Sequence, residues 1–244
     1  MANFLKYIFL LFPIIVFGQY SFEKFNKPKS ISLGFNMTKK DDVQEYSKVI
    51  KSFFNDKSDL EVIINGNSED SRKTYLEVKT KSNIRKYFEE IPFQGIEGFY
   101  IADFNRDGKK DIKIISYYMG SGIASLNARV IYFFQKESKE FTKISFDDKI
   151  GANFFERDLN GDGNFEIITM TLQNHKDHNY WLFNLYNFLN GDLVCVNNKM
   201  NYPIMVQYLF KDNYKLTTKI GRKEMKKYEL KKPIGLLIDN WFFI

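Results

Sequence analysis

Cysteine and histidine are nearly absent from this chain of 244 residues: it has one cysteine, Cys195, and two histidines, His175 and His178. A single thiol closes no internal disulfide, so the fold must rest on its core, on bound ions, or on both. Both histidines fall in "NHKDHNYW", with no cysteine or acid beside them at a zinc-site spacing, and the reading is a solvated loop. A Ser–His–Asp system has little to draw on. Nucleophile-elbow, P-loop and dinucleotide fingerprints are also missing. An enzyme would have to be of unknown type. Cys195 lies among apolar residues in "DLVCVNN" and reads as a small buried hydrophobe. Long apolar runs are lacking beyond the N-terminus, which excludes a later membrane span.

The N-terminus reads "MANFLKYIFLLFPIIVFGQY". Lys6 is its only charge, an apolar run follows from Tyr7 to Phe17, and Val16 and Gly18 supply the small residues of a signal-peptidase site. The run is shorter than the ~20 residues that cross a bilayer, and Pro13 interrupts it. The expectation is a signal peptide over residues 1–18 that leaves Gln19 first, and hence an exported protein, periplasmic or secreted. The net charge of +6 is mild, and nucleic acid is not an expected partner. The most basic stretch, Lys219 to Lys232, reads as a solvated helix, with docking to an anionic surface as its functional alternative.

Residues 19–96 read as an α/β part. "DDVQEYSKVIKSFFND" places Val43, Tyr46, Ile50, Phe53 and Phe54 at helical spacing behind Asp41 and Asp42, which suit a helix N-terminus. "LEVIIN" and "TYLEVKT" predict strands, and "NIRKYFEEI" a short helix. Residues 97–244 change character. Short runs rich in Tyr, Phe, Ile and Val alternate with Gly/Asn/Asp turns, which predicts antiparallel β-structure. Two units in this region resemble each other at an offset of 55 residues, from Asp103 to Asp158. Each meets an acidic loop, continues as a strand, passes a polar bend and enters a hairpin. A period of that size matches a propeller blade, so the expected class is mainly β, with propeller-like antiparallel blades behind the α/β part.

The loops are "DFNRDGKKD", Asp103 to Asp111, and "DLNGDGNFE", Asp158 to Glu166. Ca²⁺ takes six to eight oxygen ligands. Acids and amides at positions 1, 3 and 5 of a tight loop converge: Asp103, Asn105 and Asp107 in the first, Asp158, Asn160 and Asp162 in the second. Gly108 and Gly163 follow, where the turn is sharp. Position 7 offers a backbone carbonyl, from Lys109 or Asn164, and position 9 returns a carboxylate, Asp111 or Glu166. An EF-hand would carry Glu at position 12, where this chain has Ile114 and Thr169.

This nine-residue pattern between strands resembles the FG-GAP/VCBS family of calcium-loop β-propeller repeats, over roughly Phe99 to Asn197. The resemblance implies Ca²⁺ in these loops, a propeller or part of one, and non-enzymatic recognition of a protein or glycan outside the cytoplasm. More distantly the chain resembles small periplasmic propeller-like inhibitors of peptidoglycan hydrolases, some of them immunity proteins. On that alternative, "YYMGSGIASLN" (Tyr117 to Asn127) would be the loop that enters an enzyme cleft.

Overall fold

A computed structural model describes residues 24–67, 69–89, 91, 93–117, 120–149, 156–208 and 220–239; the expected signal peptide lies outside them. The fold is mainly β, in three antiparallel sheets. The first is a five-stranded meander of β2 (Asn36–Lys40), β3 (Val43–Ile50), β4 (Leu60–Asn67), β5 (Tyr75–Lys79) and β6 (Ile84–Phe88). The second has six strands, in the order β1 (Ile31–Ser32), β7 (Gly95–Ala102), β8 (Asp111–Tyr117), β9 (Asn127–Gln135), β10 (Phe141–Lys149) and β15 (Leu237–Asp239). The third is built on the long β12 (His178–Leu189). β11 (Ile167–His175) pairs along one edge, while β13 (Asp192–Cys195) and β14 (Ile204–Gln207) share the other. The described strands close neither a barrel nor a ring of blades. Among the described residues no helix is long and apolar enough to cross a membrane.

The expected helices of the N-terminal part are strands, so that part is β where it is described, apart from one 3-10 turn at Ser71–Lys73. β3 pairs with β4 along its whole length, from Val43↔Asn67 to Ile50↔Leu60. Tyr46 and Ile50 are four residues apart, a spacing that serves strand alternation as well as a helix face. Asp41, instead of capping a helix, sits in the β2–β3 turn at φ 52°. Phe53 and Phe54 lie beyond the strand and are buried. β6 forms because Thr80 to Asn83 make a hairpin turn: Asn83 N–H donates to Thr80 Oγ1 at 3.1 Å, and Thr80 N–H to the Asn83 carbonyl at 2.8 Å. The basic stretch holds only a short helix, α1 (Arg222–Met225), continued by one 3-10 turn; Lys219 lies outside the described residues.

The six-stranded sheet is the middle layer. Odd residues of β9, Ile131 and Phe133, join Leu60, Val62, Ile64, Leu76 and Val78 of the five-stranded sheet in one core. Even residues, Val130, Tyr132 and Phe134, join Ile144, Phe146, Ile167, Tyr186 and Leu193 in a second core toward the third sheet. Each large side chain buried this way contributes about 1.5–3 kcal/mol. The outer face of the third sheet carries a further cluster of Ile168, Trp181, Phe183 and Tyr202.

Where the first core ends, charges replace hydrocarbon. Glu89, fully buried after β6, accepts from Arg129 Nε at 2.9 Å and lies 2.5 Å from Lys143 Nζ. Ser145 Oγ donates to the same carboxylate at 2.5 Å. Arg129 also reaches Asp147 at 3.0 Å and the Gly235 carbonyl at 2.7 Å, and Lys143 reaches Asp239 at 2.9 Å. Glu89 is the only fully buried acid in this group, so its loss leaves the buried Arg129 and Lys143 with only the half-exposed Asp147 and Asp239 as counter-charges. Glu89→Ala is expected to cost about 3–5 kcal/mol of stability, measured by urea unfolding. A loss below about 1 kcal/mol, the level of an exposed pair, would contradict this reading.

Candidate metal-binding loops

The two acidic loops sit in equivalent frames. The first closes the β7–β8 hairpin, with Ala102 paired to Asp111. The second is closed by Arg157 and Glu166, which exchange both backbone hydrogen bonds, at 3.1 and 2.8 Å. Asp158 N–H also donates to the Asn26 carbonyl at 2.9 Å, which anchors the second loop to the start of the described chain.

Inside the frames, the same bonds recur position by position. Asp103 accepts from the N–H of Gly108 at 2.9 Å, and Asp158 from that of Gly163 at 3.0 Å. Asn105 accepts from Asp107 N–H at 3.2 Å, and Asn160 from Asp162 N–H at 2.8 Å. Asp107 accepts from Lys109 N–H at 2.9 Å, and Asp162 from Asn164 N–H at 2.7 Å. The acid at position 9 reaches back across the loop: Asp111 accepts from Phe104 N–H at 3.0 Å, and Glu166 from Leu159 N–H at 2.8 Å. Positions 4 and 6 are left-handed in both loops, Arg106 (φ 60°) with Gly108 (φ 81°), and Gly161 (φ 78°) with Gly163 (φ 83°).

Asp111 and Glu166 are fully buried. Burial pushes Asp111 up to about 8, against hydrogen bonds from Gln135 and Phe104 that pull it down; Asp107 and Asp103 add repulsion. Glu166 is raised by burial too, with Asp162 adding to it. The side chain of Lys109 reaches Glu137 at 2.7 Å and also Asp107 Oδ2 at 3.4 Å, so its ammonium offsets part of the loop's carboxylate charge in this structure. In the second loop Asn164 Oδ1 is buried without a hydrogen-bond donor. All the side-chain donors at positions 1, 3, 5 and 9 are oxygens, which suits a hard cation such as Ca²⁺ better than a soft one. Among the described residues no three His, Cys, Asp or Glu side chains alone converge as a metal cage. Amide and carbonyl oxygens would have to complete the shell. An ionised carboxylate has about four lone-pair sites, so the backbone bonds above leave acceptor capacity for an ion.

The loops are neighbours in space. A Cβ built at Gly163 would lie 2.7 Å from the Arg106 guanidinium, so the side chain of the first loop rests on the turn of the second. The sequence shows no sign of this contact. Beside the first loop runs a groove of about 490 Å³, lined by Asn105, Asp107, Gln135, Thr142, Phe188 and Asn190.

Other singled-out residues are placed elsewhere. His175 and His178 flank the two-residue β11–β12 turn, His175 Nδ1 being 2.9 Å from Tyr228 Oη and His178 Nδ1 3.3 Å from Gln207 Nε2. Cys195 is half-buried and its thiol is raised by burial. In the turn at Gly122–Leu126, Ile123 and Leu126 are half-buried against the outer core cluster, while Gly122, Ala124 and Ser125 are exposed. Sequence reading missed Asp148 and Glu156, two buried acids with no motif around them. No protein-family model, curated protein or solved structure matches this chain.

The glycine geometry separates two effects. Gly108→Ala meets no atom within 4 Å and pays only for left-handed backbone, about 1–2 kcal/mol. Gly163→Ala carries the same backbone cost and displaces the exposed guanidinium of Arg106, which can swing into solvent. In thermal or urea melts the two changes are expected to cost alike, each about 1–2 kcal/mol, and a clearly larger loss at 163 that Arg106→Ala removes would show that the Arg106 contact is held rigidly.

Proposed function

We propose that the chain is an exported, calcium-binding, non-enzymatic recognition protein of propeller-like β-architecture, similar in its loops to FG-GAP/VCBS repeats. The observation that carries this reading is the recurrence of one oxygen-donor set in one hydrogen-bonded geometry, once between β7 and β8 and once in the bridge-closed turn just before β11. Turns that served only to reverse the chain would not need acids at positions 1, 5 and 9 twice, nor a buried acid closing each loop. Asp103, Asn105, Asp107 and Asp111 with the Lys109 carbonyl would hold one ion. Asp158, Asn160, Asp162 and Glu166 with the Asn164 carbonyl would hold the other. The ion's chemistry here is to offset carboxylate repulsion and fix the loop. The partner would be a protein or glycan outside the cytoplasm, where millimolar Ca²⁺ fills modest sites of ~10⁻⁴–10⁻³ M.

Ca²⁺ is expected to raise the melting temperature by mass action, worth about 2.7 kcal/mol at a hundredfold excess over Kd, and chelation to reverse it. Asp107→Ala and Asp162→Ala should each weaken binding in calorimetry, while His175→Ala and His178→Ala leave it unchanged. No heat of binding together with an unchanged melt would refute the calcium reading. Intact mass of envelope material should place Gln19 first, and a cytosolic protein that retains Met1 would refute export.

A further inference from the structure

The groove of about 490 Å³ beside the first acidic loop falls within the ~300–1,000 Å³ of small-ligand sites. Its apolar part is an aromatic ring. Phe188 of β12 is half-buried and lines the groove, and Phe134 of β9 stacks against it at 3.8 Å between centroids and 7° between planes. Thr142 of β10 pairs with Phe134 across the sheet, so the two side chains share a face, and Thr142 lines the groove as well. Thr142 is 2% exposed, and its hydroxyl makes no hydrogen bond among the described residues. Asn190 adds an exposed amide at the rim. Charge in the lining cancels. Asp107 and Glu137 stand against Lys109 and Lys136, and Lys109 Nζ serves both acids, at 3.4 Å from Asp107 and 2.7 Å from Glu137.

We propose that this groove binds one ring of a neutral sugar, with the C–H face of the ring on Phe188 and a sugar hydroxyl on Thr142 Oγ1. A pyranose has an apolar face of C–H groups and a rim of hydroxyls, each able to donate and to accept. That matches a half-covered aromatic ring beside an unbonded hydroxyl and an exposed amide. A nearly buried hydroxyl without a partner is a standing cost, which a ligand hydroxyl removes. A lining with no net charge gives a free anion or cation no advantage over a neutral ligand. The choice of a glycan over a protein rests on the recognition reading above; the ring and the hydroxyl come from β9, β10 and β12, not from the acidic loops.

The test is NMR titration of the full chain with maltotriose, mannotriose and triacetylchitotriose in turn, first with calcium and then with chelator. Saturable binding of at least one is expected, with shifts centred on Phe188 and Thr142. Thr142→Val keeps the side-chain shape and removes the hydroxyl. Because no bond within the protein is lost, its melting temperature should be unchanged or higher, while the sugar weakens about two- to tenfold, the worth of one neutral hydrogen bond. Phe188→Leu, which keeps an apolar side chain without a flat ring, should also weaken it. No binding of any of the three, shifts elsewhere on the molecule, or unaltered binding by Thr142→Val overturns the proposal. Tighter binding of glucuronate than of glucose also overturns it and assigns the groove to an anion through Lys136. A chain that binds sugar equally in chelator, with no rise in melting temperature on adding calcium, keeps the sugar site and loses the calcium reading; one that binds calcium and no sugar does the reverse. Should Thr142→Val not fold, the sugar comparison on the unaltered chain decides alone.

Discussion

A sheet covered on both faces has nowhere to send a charged side chain, and the six-stranded sheet is in that position. Its strands nonetheless carry Lys113, Arg129, Lys143 and Asp148, all buried. Three of the four meet a partner from outside the sheet's central strands. Glu89 comes from the end of β6, Glu156 from the segment before the second acidic loop, and Asp239 from β15. Asp148 takes the Met170 amide of β11. Sliding one layer against another would therefore bare a buried charge, at about 3–5 kcal/mol each. Hydrophobic burial drives the three sheets together without choosing a register, and the charges narrow that choice.

The legible part of the fold is the part written in local pattern. "ARVIYFFQ" has the residues of a strand and is one, β9, although its lack of alternation is explained only by the second layer that covers it. The turns at Asn190–Gly191 and Lys136–Glu140 were equally readable. β3 was not, because Tyr46 and Ile50 satisfy both periods and only the partner strand β4 decides between them. β6 was hidden by a turn, Thr80 to Asn83, without Gly or Pro. The acidic loops were visible to the residue, since their bonds run between positions two to seven apart. The contact of Arg106 with Gly163, and the groove that places Phe188 beside Thr142, depend on how distant segments dock, and no local pattern records that.

Asp111 has a double attachment, and its counterpart Glu166 has one of a different kind. One oxygen closes its own loop through Phe104, and the other accepts the Gln135 N–H at 2.9 Å, at the end of β9. The first loop is thus continuous with the β9–β10 hairpin and with the groove that Gln135 lines. The longer Glu166 instead approaches Asn160 within its own loop, at 3.4 Å, and accepts from the side-chain amide of Asn187 in β12 at 3.3 Å. Two loops with one donor set differ in what they are fastened to.

The two outer strands of the middle sheet come from opposite ends of the described chain. β1 pairs with β7 at Ile31↔Ile101, and β15 pairs with β10 at Lys143↔Asp239. The bond from Lys143 to Asp239 spans 96 residues. A ribosome or a secretion channel delivers the chain in order, so β10 must wait with its edge unpaired until β15 arrives. Closing so long a loop is slow, and an unpaired edge is the surface on which strands of other molecules add. Whatever shields β10 in that interval governs the yield of folded protein, independently of how stable the finished molecule is.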